Sequence, residues 1–486
     1  MDNILQKQTI RIPAICKILF CILSFILFLI ACTRYEGQVY IYVLFTIASY
    51  TLLYFGFRKN AIFFDAFIAV FIWLGFWFKL TYSVVFRESQ FIVAVGSFDG
   101  SGNAFDYASL VSIVGILGFI FASCIREKYI FTYPEKSEDS GYKGLLWLYR
   151  QHRKLVLIMF VLLVLFVSVT NFYFGIYQRG TISRTSLPYG LNGVYTWLLL
   201  FGLASFSALI LHLEFVINKK TSYTVVFISL IEGFITNISL LSRGMVINIS
   251  ALGYGIYRSM KFNSIKPTPG FFITVLFIFV ILFGTSILVV NQLRYDFLKI
   301  DSELTEIQNY RKAIKRHESV VVRLIVDRWV GIEGVMAISS YPEKNWNLLK
   351  KAWAERFVYN KNSFYDSNII TSSYNNEIAI KTHSISLPGI IAFCFYPGSF
   401  LFLFGCMLLS GLIAALVELS VFRLGGKNII LCSLLAQVVA YRYMHFGYVP
   451  SQTHLLFGAI FLNLVIIFLA DRILYWYQNI CLNSGK

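Results

Sequence analysis

The feature that most constrains this chain is a series of twelve apolar runs, most of them long enough to cross a lipid bilayer. A membrane-spanning helix needs about 20 mainly apolar residues, and it satisfies its backbone hydrogen bonds without water. With 57% hydrophobic residues, the chain is too apolar to bury its side chains in a soluble core. We therefore predict an all-α polytopic membrane protein with about 12 transmembrane helices. The runs are 12–32, 39–57, 61–86, 105–124, 155–174, 191–216, 222–240, 244–258, 270–291, 396–420, 428–446 and 453–471.

The positive charge of the chain is spread over short loops rather than gathered on one domain. A formal net charge of +17 on a soluble domain would suggest a nucleic-acid partner. Lys and Arg instead concentrate in alternate loops and in both tails, as the positive-inside rule expects of cytoplasmic segments. We therefore expect no nucleic-acid partner, both termini in the cytoplasm and membrane lipids around the helices. The five short intervening loops carry few cations, namely Arg34, Arg87, Arg179, Arg184 and Arg243.

One long polar stretch, residues 292–395, interrupts the apolar runs after the ninth. It holds 14 Lys and Arg against 11 Asp and Glu, so it is nearly neutral, and the topology places it outside the cytoplasm. We predict three regions: 1–291 with transmembrane helices 1–9, 292–395 as a large helical periplasmic segment, and 396–486 with helices 10–12 and a cytoplasmic tail. The first apolar run is expected to act as a signal anchor.

The centre of the polar stretch, residues 319–340, is too charged to cross a bilayer and too apolar for a solvated linker. Its pattern predicts a helix, flanked by amphipathic helices over 301–318 and 343–359. On that helix Arg323, Asp327, Gly331 and Gly334 follow one stripe, because eleven residues make about three turns. The alternative reading is a buried structural helix with an Arg323–Asp327 ion pair at i,i+4.

Charged residues within the apolar runs include Asp65, Lys79, Glu232 and Arg442. A charge at mid-membrane costs about 2.5–3.5 kcal/mol on insertion scales, so each is either paired, snorkelling to the interface, or functional. These carboxylates are too few for the deep proton relay that we expect of a proton-coupled transporter.

Cofactor and metal chemistry find no support in the sequence. The eight cysteines lie in or beside apolar runs without a CxxC pair, and no His, Asp and Cys cluster has metal-ligand spacing. No HExxH, P-loop or GxSxG motif is present. We expect no metal and no cofactor.

The most informative polar residues are the arginines predicted to face outward. Arg179 and Arg184 lie in one loop, Arg243 sits between Ser242 and Gly244, and Arg323 and Arg328 belong to 319–340. A guanidinium group keeps its charge and donates paired hydrogen bonds, which suits a diphosphate. The alternative is that each is an ordinary surface arginine. His383, just before the tenth run, is the best-placed candidate base, although a lone loop histidine is often inert.

With these features the chain resembles the Wzy-type O-antigen polymerases, which join oligosaccharide repeat units. The likeness covers nearly the whole length: about twelve spans, inward termini and a large outer loop in the second half. Members of that family carry Arg-x10-Gly motifs in the third and fifth periplasmic loops. The matching positions here are Arg179 with Gly190 and Arg323 with Gly334, and the Ser242–Arg243–Gly244 turn is similar to one in such proteins.

The resemblance implies a GT-C-like fold and a metal-independent glycosyl transfer at the periplasmic face of a bacterial inner membrane. A growing glycan would leave undecaprenyl pyrophosphate and join a hydroxyl of a lipid-linked repeat unit. The resemblance implies that Arg179, Arg184, Arg243, Arg323 and Arg328 bind pyrophosphate or glycan, with His383 as base and Glu333 as its substitute. Tyr396, Trp329, Tyr341, Trp346 and Trp353 are candidates for stacking on sugars, or are ordinary interfacial aromatics. A chain-length regulator is a possible partner.

Two rival functions share parts of this pattern. An O-antigen ligase has the same layout and chemistry but transfers the glycan to the lipid A core. A lipid-linked oligosaccharide flippase also has about twelve spans, yet it has no need of a hundred-residue outer segment. Dolichol-phosphate-type transferases typically carry an acidic pair in the first outer loop, where this chain has only Glu36.

Overall fold

The computed structural model describes residues 2–134, 141–179, 183–219, 222–242, 244–263, 269–297, 322, 325–358, 362–371 and 385–484. Regular structure in these ranges is helical, with no strand. The helices are α1 (Asp2–Arg34), α2 (Val39–Phe57), α3 (Phe63–Phe86), α4 (Gly102–Tyr129), α5 (Gly144–Phe174), α6 (Leu191–Asn218), α7 (Tyr223–Ser239), α8 (Met245–Phe262), α9 (Pro269–Phe297), α10 (Ile332–Ser339), α11 (Trp346–Trp353), α12 (Ile390–Cys394), α13 (Phe400–Leu424), α14 (Ile429–Met444) and α15 (Thr453–Ser484).

Each of the twelve apolar runs forms a helix. Within the described ranges, nine helices are long and apolar enough to cross a membrane: α1 to α6, α9, α13 and α15. Helices α7 and α14 are apolar but shorter. Side chains on α1, α5 and α9 face outward from the bundle, with Phe25, Phe166 and Phe277 each 60–66% exposed. Such apolar outer surfaces fit lipid rather than water. A polytopic helical membrane protein is therefore confirmed, whereas the count of twelve spans stays a prediction.

Hydrogen bonds group the loops at two ends of the bundle. At one end, which the positive-inside rule predicts to be outer, Arg179 N donates to Leu240 O and Gly389 N to Phe446 O. At the other end, Gly141 N donates to Gly426 O and Arg58 pairs with Glu127 at 2.7 Å. This alternation of loops is the pattern expected when successive helices run in opposite directions.

Helix α3 is the central scaffold for the predicted outer segment. The Glu418 carboxylate accepts hydrogen bonds of 2.8 Å from Phe63 N and Phe64 N, so it caps the first turn, whose amides have no partner within the helix. Asp65 in the same turn pairs with Arg126 of α4. A π-helical segment, Trp73–Phe78, interrupts the middle of α3. A large apolar core, including the fully buried Trp77, surrounds this part of the helix.

The predicted continuous helix over 319–340 is wrong within its described part. The chain leaves helical geometry at residues 327–331, and α10 begins only at Ile332. The i,i+4 ion pair with Arg323, which lies outside the described residues, stays a prediction for Asp327. Its carboxylate receives two hydrogen bonds from Arg87, at the end of α3, with nitrogen–oxygen distances of 2.7 and 3.0 Å. Because the helix breaks at Asp327, its carboxylate is available to this partner on α3.

The segment 329–334 enters the helix bundle instead of standing outside it. A Cβ built on Gly331 would lie 1.9 Å from Gly75 O, and one on Gly334 would lie 2.0 Å from the Pro388 carbonyl oxygen. Gly75 lies halfway along α3, so the chain descends to about the middle of that helix before α10 climbs back. Helix α10 is buried along its whole length. The two glycines are therefore needed for space, since any side chain would collide with a neighbouring backbone.

An ion pair fixes the lowest point of this descent. Lys79 Nζ lies 2.6 Å from Glu333 Oε1 and 2.8 Å from Trp329 O, and the lysine and glutamate side chains are almost fully buried. Lys79 and Asp65, which both lie in the third apolar run, thus have structural partners.

The rest of the predicted periplasmic region is partly described. Helix α11 confirms a helix within 343–359, although a shorter one, and Asn345 caps it through a 2.9 Å hydrogen bond from Leu348 N. Trp346 and Trp353 on α11 are half exposed. The predicted helix over 301–318 lies outside the described residues, and the three-region division of the chain stays a prediction.

Candidate functional site

A cavity of about 710 Å³ opens among the helices at the predicted outer end of the bundle. Its walls come from the loop after α5, the π-helical segment Leu198–Gly202 of α6, the facing sides of α7, α8 and α14, and the loop that follows α14. The charged and aromatic residues that line it are Tyr177, Arg179, Phe201, Glu232, Phe357, Tyr441, Arg442, His445 and Tyr448.

Backbone hydrogen bonds fix Arg179 at the rim of this cavity. Its amide donates to Leu240 O at 2.9 Å, and its carbonyl accepts from Arg294 Nη2 at 2.9 Å. Arg294 also donates to Leu241 O, so α9 holds both loops together. Asn171 anchors the loop two residues earlier by pairing with the backbone of Tyr177. The Arg179 side chain is therefore carried on a braced loop, 5.9 Å from the centre of the Tyr441 ring.

Two guanidinium groups from distant parts of the chain meet at Gly244. A Cβ built there would lie 3.5 Å from Arg179 Nη1 and 3.6 Å from Arg328 Nη2. The tight turn is closed by Gly244 N, which donates to Ser242 Oγ at 3.0 Å. Both Ser242 and Gly244 line the cavity. Because Gly244 has no side chain, it does not occupy the place where the two cations converge.

The last turn of α14 adds a third guanidinium group and an imidazole. Arg442 lines the cavity, and its Nη2 lies 3.3 Å from Thr453 Oγ1. The His445 ring stacks on Tyr441 with centroids 3.9 Å apart, and its Nδ1 lies 3.0 Å from Tyr441 O. The only role open to Nδ1 at a carbonyl oxygen is donor, which leaves Nε2 as the acceptor in the neutral ring. The charges of Arg179, Arg328 and Arg442 all act on this imidazole.

Two of the rim cations, Arg179 and Arg442, have no carboxylate partner among the described residues. Among the residues that the structure describes, neither Arg179 nor Arg442 lies within 4.0 Å of a carboxylate oxygen, whereas Arg58, Arg87, Arg126 and Arg153 each pair with an acid. Buried charges are normally paired, because desolvation is costly. The arrangement therefore suits an anion with several oxygens, such as a diphosphate.

The inner wall of the cavity is polar but carries no cation. It is formed by Glu232, Thr236, Asn237, Asn248 and Gln437. Glu232 accepts from Thr236 Oγ1 at 3.1 Å and from Ser207 Oγ at 3.5 Å. Asn248 donates to Leu200 O, in the π-helical segment of α6. Cationic rim and polar interior are thus two separate chemical surfaces.

Ionisable groups beside the cavity have pKa values that burial shifts. Burial raises the pKa of Tyr448, which lines the cavity, to about 12, so this phenol stays protonated and can donate. Burial also raises the pKa of Glu355, whose carboxylate accepts hydrogen bonds from Phe364 N and from Val449 N in the loop after α14. Glu355 therefore joins the segment after α11 to one wall of the cavity.

Three residues predicted to belong to the site lie elsewhere. Arg184 is exposed, and its Nη2 donates to Phe172 O at 3.2 Å, at the end of α5. Glu333 is buried against Lys79. Tyr396 is fully buried and packs on Phe393, with ring centroids 4.9 Å apart. None of the three is a lining residue of the cavity.

Three other predicted site residues, Arg243, Arg323 and His383, lie outside the described residues. Arg243 is flanked by Ser242 and Gly244, both on the cavity wall. Gly190, the partner of Arg179 in the spacing motif, has a φ of 76° directly before α6, where a left-handed residue starts the helix. Its role is therefore conformational.

Sequence reasoning missed the contribution of α14. The sequence marks Arg442 only as a charge in an apolar run, and it assigns no role to His445. The signal that could have located them is the stretch Tyr441-Arg442-Tyr443-Met444-His445, which puts a cation, two phenols and an imidazole at one helix end.

Within the described ranges, no group of three or more His, Cys, Asp or Glu could hold a metal ion.

Comparisons with protein-family models, curated proteins and solved structures found no match to this chain.

Proposed function

We propose that this protein is an O-antigen polymerase that moves a growing glycan from undecaprenyl pyrophosphate to a lipid-linked repeat unit. It would act at the periplasmic face of a bacterial inner membrane, with twelve spans, both termini in the cytoplasm and no metal. The observation that carries the proposal is the convergence of Arg179 and Arg328 at Gly244, on the wall of a cavity of about 710 Å³ that Arg179 and Arg442 line. No nucleotide is needed, because a lipid pyrophosphate is already an activated leaving group.

The proposed chemistry is one displacement at a sugar carbon. A hydroxyl oxygen of the acceptor repeat unit attacks the anomeric carbon of the donor glycan, and the bond from that carbon to the pyrophosphate oxygen breaks. The leaving pyrophosphate gains charge, which the three guanidinium groups stabilise in a site with little water. The hydroxyl proton must pass to a base. His383 stays the prediction for that role. Burial and the charges of Arg179, Arg328 and Arg442 lower the pKa of His445 to about 3, so this imidazole is a poor proton acceptor.

The test is to replace the rim arginines in a strain that lacks this chain and relies on a plasmid copy. We expect Arg179→Ala and Arg442→Ala each to reduce polymerisation about 10²- to 10³-fold, the loss typical of removing one preorganised donor to a developing anion. Arg179→Lys keeps the charge but loses the paired hydrogen bonds, so it should retain intermediate activity. The measurement is the lipopolysaccharide ladder, with membrane protein levels checked by immunoblot.

The control is Arg356→Ala, which removes an exposed arginine just after α11, next to the cavity-lining Phe357. It should leave the ladder unchanged. Loss of polymerase activity leaves lipopolysaccharide with a single repeat unit, whereas loss of a ligase leaves none. Full ladders from both Arg179→Ala and Arg442→Ala would remove the basis of the proposal. Repeat-free lipopolysaccharide would favour the ligase.

A further inference from the structure

The inner wall of the cavity is a hydrogen-bonding surface without positive charge. Its amides and carboxyl group come from three helices: Glu232 and Asn237 from α7, Asn248 from α8, and Gln437 from α14. Gln437 lies five residues before Arg442 on α14, which puts it about 7 Å deeper at 1.5 Å per residue. The polar wall therefore continues directly inward from the cationic rim.

Gln437 has a carbonyl oxygen that the described residues leave without a hydrogen bond. Its side chain is 2% exposed and lines the cavity, and its Oε1 has no hydrogen-bond partner among the described residues. Buried amides are nearly always satisfied, because an unmade hydrogen bond in the interior is destabilising. A leucine of similar size would avoid that cost. The retained glutamine therefore indicates a partner that arrives with a ligand.

The chemistry of this wall excludes two of the three parts of a lipid-linked glycan. A polyprenyl tail would cover five polar side chains without hydrogen-bonding any of them. The diphosphate would meet the Glu232 carboxyl group, whose described partners are the Thr236 and Ser207 hydroxyls and include no cation. Sugar hydroxyls both donate and accept, and so match amides and a carboxyl group. Phe201 and Tyr441 on the same cavity wall offer ring surfaces as well.

We propose that the inner wall, with Gln437 at its centre, is a sugar-binding subsite that takes an uncharged sugar of the glycan whose diphosphate is held at the rim. This inference rests on the proposed function. An acidic sugar is disfavoured there, because the described side chains that form this wall include no cation to pair with its carboxylate.

The experiment compares two probes on the purified full-length protein in lipid nanodiscs. One probe is farnesyl pyrophosphate, which carries no sugar. The other is the lipid-linked repeat unit extracted from a strain that lacks this chain. Binding is measured by thermophoresis for wild type, Gln437→Leu and Arg179→Ala. Gln151→Leu, at an exposed position on α5, is the matched control.

We expect Gln437→Leu to weaken binding of the repeat unit about tenfold, the loss expected of one or two buried hydrogen bonds, with farnesyl pyrophosphate unaffected. Its unfolding temperature should be unchanged or higher, since an unsatisfied amide has been removed. An equal loss for both probes, no loss for either, or a lower unfolding temperature would each overturn the sugar subsite. Arg179→Ala should weaken both probes. Unchanged farnesyl pyrophosphate binding in that variant would count against the proposed function itself.

Discussion

At the scale of single residues, the site depends on contacts that keep Arg328 beside Arg179. Arg328 follows Asp327 directly, and Asp327 forms two hydrogen bonds with Arg87 at the end of α3. Both side chains of this pair are at least 86% buried. We infer that Arg87 and Asp327 are positioning residues, which act on the ligand only through Arg328.

A charge swap tests this role. Arg87→Asp and Asp327→Arg should each lower the free energy of unfolding by about 3–5 kcal/mol, because a buried charge loses its partner. Each should also raise KM for the lipid-linked repeat unit more than it lowers kcat, since the diphosphate contact is displaced. The double variant should recover part of both losses. Recovery of stability without any recovery of KM would show that the pair is only structural. Purified enzyme with extracted repeat units gives both constants.

The sequence located some of these residues and not others, for reasons that lie in helix packing. Arg179 was identifiable because it stands in a loop where positive-inside statistics disfavour cations. The contact of Asp327 with Arg87 could not be predicted, because i,i+4 spacing reports only neighbours on one helix, and Arg87 belongs to a distant part of the chain. The role of Arg442 depends on which helices are neighbours. No single-chain pattern reports that α14 packs beside α6 and α8.

At the scale of elements, the segment 329–334 is held by backbone contacts that only glycine permits. Apolar runs predicted the long helices correctly, because lipid requires continuous helices of that length. The same reasoning failed at 319–340. Within its described part, Val326 and residues 332–339 are buried in the bundle, and burial alone does not distinguish a helix from an irregular segment. The close approach of Gly331 to Gly75 follows from the tertiary fold.

The element-scale prediction is that Gly331→Ala destabilises the protein. Its methyl group would lie 1.9 Å from Gly75 O, so the two backbones must separate. We expect a loss of about 1–3 kcal/mol or more, typical of overpacking. Gly405→Ala in α13 is the matched control, since a Cβ there meets nothing within 4 Å. Alanine should be neutral or slightly stabilising at that position. Thermal unfolding in detergent compares the two, and equal midpoints would contradict the packing argument.

At the scale of the whole molecule, the proposed function depends on which face of the membrane the cationic cavity occupies. The cavity lies at the end of the bundle that also carries residues 87–101, 175–179, 183–190 and 445–452, while Lys59 and Arg472 lie at the opposite end, where loops are basic. Polymerisation of repeat units outside the cytoplasm requires the cavity end to face outward. This orientation rests on the distribution of Lys and Arg alone.

Cysteine accessibility decides that orientation. Tyr189 is 98% exposed at the cavity end, so Tyr189→Cys should react with a membrane-impermeant maleimide in intact spheroplasts. Lys59→Cys and Arg472→Cys should react only after the membrane is opened. The parent should have its native cysteines replaced by serine and should still make lipopolysaccharide ladders, because Cys21, Cys124 and Cys481 are exposed and would otherwise label. The reverse labelling pattern would place the cavity on the cytoplasmic face, where lipid-linked repeat units are made rather than joined. The guanidinium cluster would then need a different anionic ligand.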